Sequence, residues 1–145
     1  MKNIAVIYWS GTGNTQQMAV AVADGAKAGS ETSVKLLEVG AAGKEDVLSA
    51  DALALGCPAM GEEVLEEEEM EPFVEALEEK DLAGKPLVLF GSYDWGDGQW
   101  MRDWEERMKE KGALLIESGL IIQNTPDDEG VARCTELGQR LASYK

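Results

Sequence analysis

The sequence predicts an open, doubly wound α/β fold: five parallel strands with helices on both faces. Three observations carry that expectation. Short apolar runs alternate with amphipathic stretches along the whole chain. The runs Ile4-Ala5-Val6-Ile7 and Leu87-Val88-Leu89-Phe90 are continuously apolar, as strands covered on both faces require. No linker, repeat or low-complexity block divides the pattern, so one domain over residues 1–145 is expected.

The strands are expected at Asn3 to Trp9, Ser33 to Val39, Ala52 to Gly56 and Pro86 to Ser92, with an interrupted fifth at Leu114 to Ile116 and Leu120 to Gln123. Helical stripes lie between and after them: Met18, Val22 and Ala26; Phe73, Val74 and Leu77; Met101, Trp104 and Met108; Val131, Cys134, Gly138 and Leu141. Right-handed crossovers between parallel strands place ligands beyond the strands' carboxyl ends. The loops to search are therefore residues 10–15, 57–63 and 92–98.

Composition removes whole classes of function. A formal charge of −15, from 28 acidic and 13 basic residues, repels nucleic acid and anionic membranes and favours partners with basic faces. The first apolar run is too short to span a bilayer, and the chain reads as soluble, cytoplasmic and, from size and charge repulsion, monomeric. Two cysteines and no histidine cannot build an ordinary zinc or iron–sulfur site, so no metal is expected and redox chemistry would need an organic cofactor. Cys57 and Cys134 are read as structural.

Ser10-Gly11-Thr12-Gly13-Asn14-Thr15 follows a strand and opens a helix, where backbone N–H groups and the helix dipole converge on an anion. An ordinary strand-to-helix turn capped by Asn14 is the plainer reading of such a segment. The segment lacks the Gly-Lys-Ser/Thr of a triphosphatase and the Gly-x-Gly-x-x-Gly of a dinucleotide fold. A neutral nest lined by hydroxyls suits the single terminal phosphate of a mononucleotide.

Three segments then become specific: Tyr8-Trp9-Ser10-Gly11-Thr12-Gly13-Asn14-Thr15, Gly56-Cys57-Pro58-Ala59-Met60-Gly61, and Gly91-Ser92-Tyr93-Asp94-Trp95-Gly96-Asp97-Gly98. In this order, with the helix start Trp100-Met101-Arg102-Asp103, the chain resembles the short-chain flavodoxins of anaerobic bacteria from Lys2 to the last helix. The resemblance implies a flavodoxin-like sheet of order 2-1-3-4-5 and one non-covalently bound FMN. It implies a low-potential one-electron carrier, not an enzyme, that shuttles between semiquinone and hydroquinone. Its partners would be larger redox proteins with basic docking faces, such as ferredoxin-linked oxidoreductases.

Carried over by position, the resemblance implies that Ser10, Thr12, Asn14, Thr15 and Ser92 hold the FMN phosphate, with Gly11 and Gly13 shaping the nest and Trp9 beside it. Met60 would pack on the inner flavin face and Trp95 on the outer, with Pro58, Ala59 and Tyr93 in the surrounding loops. Glu63 matches the residue whose carboxylate accepts the flavin N3 hydrogen. Backbone N–H groups around Trp95 and Gly96, in the turn that includes Asp97, would serve the O2 and N1 edge. The Gly61-Glu62 peptide would turn its carbonyl toward flavin N5, a motion glycine permits. Asp94 stands where close relatives usually carry glycine, and Pro58 where some carry serine. Trp95 also escapes the usual expectation of a core tryptophan because a polar turn surrounds it, whereas Trp100 and Trp104 are read as packing.

Seven glutamates between Glu62 and Glu71 run from the second loop into the next helix, both as a favourable helix start and as charge beside the flavin. Neutralising Glu66, Glu67, Glu68 and Glu69 is expected to raise the potential of the more reducing couple and to slow reduction of basic partners. Two other functions compete. An FMN-dependent reductase would need a second pocket, for which the length leaves little room; a phosphoacceptor receiver would need aspartates after strand one, where hydroxyls and glycines stand.

Overall fold

The computed structural model describes residues 2–29 and 31–144. In chain order the elements are β1 (Lys2–Tyr8), α1 (Asn14–Lys27), β2 (Thr32–Glu38), a 3-10 turn (Val39–Ala41), α2 (Lys44–Leu48) and β3 (Ala52–Gly56). There follow α3 (Met70–Ala76), α4 (Glu79–Leu82), β4 (Pro86–Tyr93), α5 (Gln99–Glu110), β5 (Leu114–Leu115), β6 (Leu120–Gln123) and α6 (Asp128–Ser143). The sheet is parallel, in the order β2-β1-β3-β4, with β5 and β6 both pairing with β4. The order 2-1-3-4-5 and the interruption of the fifth strand both match expectation, while the strand ends that differ move by one residue.

Alternation along each strand divides the core into two layers. Ile4, Val6, Tyr8, Ala54, Val88 and Phe90 pack with Met18 and Val22 of α1 and Cys134 and Leu141 of α6. Ala5, Ile7, Leu53, Leu55, Leu87 and Leu89 pack with Met70 and Val74 of α3 and with Trp100, Trp104 and Met108 of α5. Helices α1 and α6 meet closely: a Cβ at Gly138 would overlap the carbonyl oxygen of Val22, so that contact accepts only glycine.

Several details depart from the sequence reading. Trp9 lies beyond β1, although its N–H still bonds to Gly56 O at 3.0 Å. Val131 does not belong to the apolar stripe of α6: it is exposed, and α6 buries Cys134, Leu137, Gly138 and Leu141 instead. Helices α2 and α4, of five and four residues, were not foreseen; each is too short to show a full apolar period. Strand β2 is only partly buried, consistent with its place at the sheet edge.

Register brings the site together. Tyr8 pairs with Gly56 and Gly56 with Phe90, so β1 and β3 end at the same level and β4 runs three residues further, to Tyr93. The chain order reverses between β1 and β3, and their loops leave in opposite directions, opening a crevice there.

Candidate functional site

The first loop is shaped around its own donors. Gly13 caps α1 in the left-handed region, φ +97°, and Asn14 is the first helical residue, not the cap. Ser10 Oγ accepts the N–H of Gly13 at 3.1 Å and of Gln16 at 3.2 Å, folding the loop back over the helix start. Helical bonding begins with Gln17 N donating to Gly13 O. Among the described residues, the N–H groups of Gly11, Thr12 and Thr15 meet no protein acceptor, and that of Asn14 reaches only Thr12 Oγ1 at 3.5 Å. These convergent donors at a helix N-terminus fit an anion.

Two buried hydroxyls tie this loop to the third. Thr15, 1% exposed, and Ser92, 4% exposed, bring their hydroxyl oxygens to 2.9 Å, and Ser92 N donates to Thr15 Oγ1 at 3.3 Å. Ser92 O in turn accepts Ala59 N at 3.0 Å, which fastens the second loop. The cleft between the loops, about 120 Å³, is lined by Trp9, Gly11, Thr12, Asn14, Pro58, Ala59, Met60, Ser92, Tyr93 and Asp94. All ten are residues that the sequence placed in the site.

The second loop is a tight reversal in which Met60 and Val64 exchange both backbone bonds at 2.9 Å. Gly61 sits at φ +51° with open space where a Cβ would stand. Glu63 is also left-handed, φ +57°, a conformation that costs a residue with a side chain. Its carboxylate explains the arrangement: Oε1 accepts the N–H of Gly98 and of Gln99, each at 3.1 Å. Helix α5 has no acidic residue in its own first turn, so Glu63 supplies the missing negative charge from another loop. Oε2 has no protein donor among the described residues.

In the third loop Trp95 is 61% exposed, and the N–H groups of Trp95 and Gly96 donate to no protein acceptor among the described residues. Asp97 is turned to α5, where Arg102 donates to its carboxylate and to its carbonyl oxygen, both at 2.9 Å. Gly61 and Glu62 lie apart from the main cleft, in an adjoining depression shared with Glu66, Glu67 and Glu68. Trp100 and Trp104 are core residues, as read, and Trp100 donates its ring N–H to Cys57 O at 3.1 Å.

The acidic run is not uniformly solvated. Glu66 is 6% exposed; its Oε1 accepts the N–H of Glu69 at 2.7 Å and of Met70 at 3.0 Å, and its Oε2 that of Glu68 at 2.8 Å. Burial opposes the charge, but these donors prevail and hold the carboxyl below its ordinary range. Glu69 accepts the indole N–H of Trp9 at 3.2 Å. Neutralising all of Glu66 to Glu69 therefore perturbs structure as well as charge, and of that set Glu67 and Glu68 are the exposed carboxylates that accept no hydrogen bond among the described residues. Burial raises both thiols, Cys57 and Cys134, to about 12, which leaves neither as a thiolate.

Two contacts escaped the sequence reading. No pattern links Glu69 to Trp9, 60 positions away. Thr125, which donates to Asn14 Oδ1 at 3.0 Å, had a signal: it follows the last strand at the same edge of the sheet as the other three loops.

A family model described as Flavodoxin matches residues 6–138. The chain is similar to the flavodoxin of Clostridium beijerinckii, 49% identical over 138 residues that cover 95% of this chain and 98% of that one. It is similar to the flavodoxin of Megasphaera elsdenii, 42% identical over 139 residues, 96% of this chain and 98% of that one. Among solved structures, the solution structure of two-electron reduced Megasphaera elsdenii flavodoxin matches with a TM-score of 0.84 at 42% identity, over 96% of this chain and 98% of that one.

Proposed function

The chain belongs to the flavodoxin family of FMN-binding electron carriers, and from that premise we propose how its own residues hold the cofactor and keep it to single electrons. The observation that carries the proposal is the first loop, where the N–H groups of Gly11, Thr12 and Thr15 converge without a protein acceptor among the described residues while the Thr15–Ser92 pair holds the loops in place. Bound FMN supplies the electron chemistry, and the chain needs no acid, base or nucleophile of its own.

Ser10, Thr12, Asn14, Thr15 and Ser92 surround the phosphate in this proposal, the backbone giving donors and the hydroxyls closing the nest. Gly11 and Gly13 let the backbone approach, and Trp9 borders the cleft. Met60 and Trp95 cover the two flavin faces, with Pro58, Ala59, Tyr93 and Asp94 forming the wall between them; the exposure of Trp95 supports an outer ring that moves onto a ligand without unpacking the core. Glu63 offers Oε2 to the N3 hydrogen, and its bonds to Gly98 and Gln99 keep it oriented. The N–H groups of Trp95 and Gly96, in the turn closed by Asp97, serve the O2 and N1 edge. Gly61 and Glu62 form the turn that presents a carbonyl to N5, and the open space around Gly61 supports that freedom.

As an electron carrier the chain serves redox partners. We further propose that they dock through basic faces, drawn by the exposed carboxylates Glu62, Glu67 and Glu68 at the rim of the site. The reading includes one FMN domain over residues 1–145, acting as a cytoplasmic monomer. The unpaired thiols Cys57 and Cys134 agree with a reducing compartment. No helix among the described residues is long and apolar enough to cross a membrane.

Fluorescence titration of the flavin-free chain with FMN tests the assignment. Quenching that saturates at one FMN per chain, and weakens at least tenfold in Trp95→Ala by the loss of a stacked aromatic face (an estimate of about 1.4 kcal/mol or more), is expected. Failure to bind FMN would overturn it.

A further inference from the structure

We infer that Thr125 is a positioning residue for the cofactor's phosphate, acting through Asn14; the inference rests on the reading of the first loop as a phosphate nest. An asparagine amide has an end that suits an anion, the NH2, and an end that repels it, the carbonyl oxygen. Thr125 Oγ1 donates to Asn14 Oδ1 at 3.0 Å, which occupies the carbonyl end. Nδ2 has no protein acceptor among the described residues, and Asn14 lines the cleft, so the anion-binding end is the one left available.

Neighbouring hydrogen bonds anchor the support. Thr125 lies between β6 and α6, where Asn124 N donates to Tyr93 O at 2.8 Å and Gln123 Nε2 to Asp94 O at 3.1 Å. Pro126 follows, which biases Thr125 to an extended backbone, and Asp127 caps α6 by accepting Gly130 N at 2.8 Å. The loop after the last strand thus joins the third loop to the first, and its hydroxyl selects one of two amide orientations. Without it, binding the phosphate must itself turn and hold the amide.

The test compares FMN with riboflavin, which lacks the phosphate, by titrating the full flavin-free chain and its variants. Thr125→Val keeps the shape and removes the donor; FMN affinity should fall roughly three- to tenfold, the worth of one hydrogen bond, while riboflavin affinity stays within about twofold. Thr125→Ser should restore the preference. In an Asn14→Ala background, Thr125→Val should have no further effect on FMN, because the two residues act as one unit. Circular dichroism checks that each variant is folded, and Thr125 is exposed, so its hydroxyl is not needed by the core.

Equal weakening of both flavins, or unchanged affinity for both, would overturn the inference, as would full additivity with Asn14→Ala. If the unaltered chain itself shows no preference for FMN over riboflavin, the phosphate nest fails and this inference fails with it. A preference that is present but indifferent to Thr125→Val overturns only the role of Thr125.

Discussion

Replacing Glu66 by glutamine exchanges one oxygen for an NH2 group and leaves the shape of the side chain intact. In the folded chain one oxygen holds two N–H groups and the other holds one, within a site that is 6% exposed. Glutamine can keep the pair on Oε1, but its NH2 then faces the N–H of Glu68, donor against donor. One charge-assisted bond lost and one buried donor left unpaired sum to about 2 to 3 kcal/mol, or roughly 6 to 10 °C in the unfolding midpoint of a chain this size. The pH dependence has a definite sign. Burial disfavours the carboxylate, but the N–H groups of Met70, Glu68 and Glu69 prevail, so Glu66 titrates below its usual 4.5. A depressed folded value gives stabilisation that is present above the unfolded pKa and is lost as pH falls through the folded one. Urea unfolding of the flavin-free chain, in which cofactor affinity does not enter, should show the full gap between the unaltered chain and E66Q near neutral pH. The gap should be smaller in acid, well below the ordinary carboxylate range, than near neutral pH, because the unaltered chain loses its carboxylate as pH falls through the folded pKa. A gap of the same size at both pH values, or none at neutral pH, would refute the assignment of the effect to the buried charge.

Three further outcomes follow from the same geometry. Glu62, Glu67 and Glu68 are exposed in the depression beside the cleft, and with FMN held as proposed their joint conversion to glutamine should raise the potential for the second electron by roughly 15 to 60 mV per charge at about 12 Å, as read by anaerobic potentiometry; an unmoved potential would contradict it. Gly61→Ala meets no steric obstacle, so its cost is the left-handed backbone alone, about 1 to 2 kcal/mol in denaturant unfolding, and the yield of one-electron reduced protein should fall with it. An unchanged yield would remove the turn from the redox account. Thr15→Val strands the buried hydroxyl and N–H of Ser92, and should lower the stability of the flavin-free chain by about 1 to 3 kcal/mol; a neutral effect would mean that water replaces the lost contact.

What was legible in the sequence was what local chemistry determines. Continuous apolar runs marked β1, β3 and most of β4, because strands covered on both faces bury nearly every side chain, and Ala52–Gly56 was found to the residue. The three loops were legible because glycine, hydroxyl and turn residues stand at strand ends, and nine of their residues, with Trp9, do line one cleft. The resemblance added roles that spacing alone does not carry. Contacts across the fold stayed hidden: seven glutamates look alike as letters, yet Glu63 completes the N-terminus of α5, Glu66 is buried under three N–H groups, Glu69 holds Trp9, and Glu67 and Glu68 face water. Which carboxylate is solvated is decided by the path of the backbone between β3 and α3, not by composition. Asn14 shows the same limit, since the N-cap position went to Gly13 once the left-handed turn freed the asparagine side chain for Thr125.

The most direct test of the account is an anaerobic reduction of the one-to-one FMN complex with dithionite, followed by its visible spectrum. A large accumulation of the one-electron reduced form before full reduction is the expected result, because a carrier must separate its two electron steps. Reduction in a single two-electron step, or steady turnover of a small-molecule substrate by the complex alone, would contradict it.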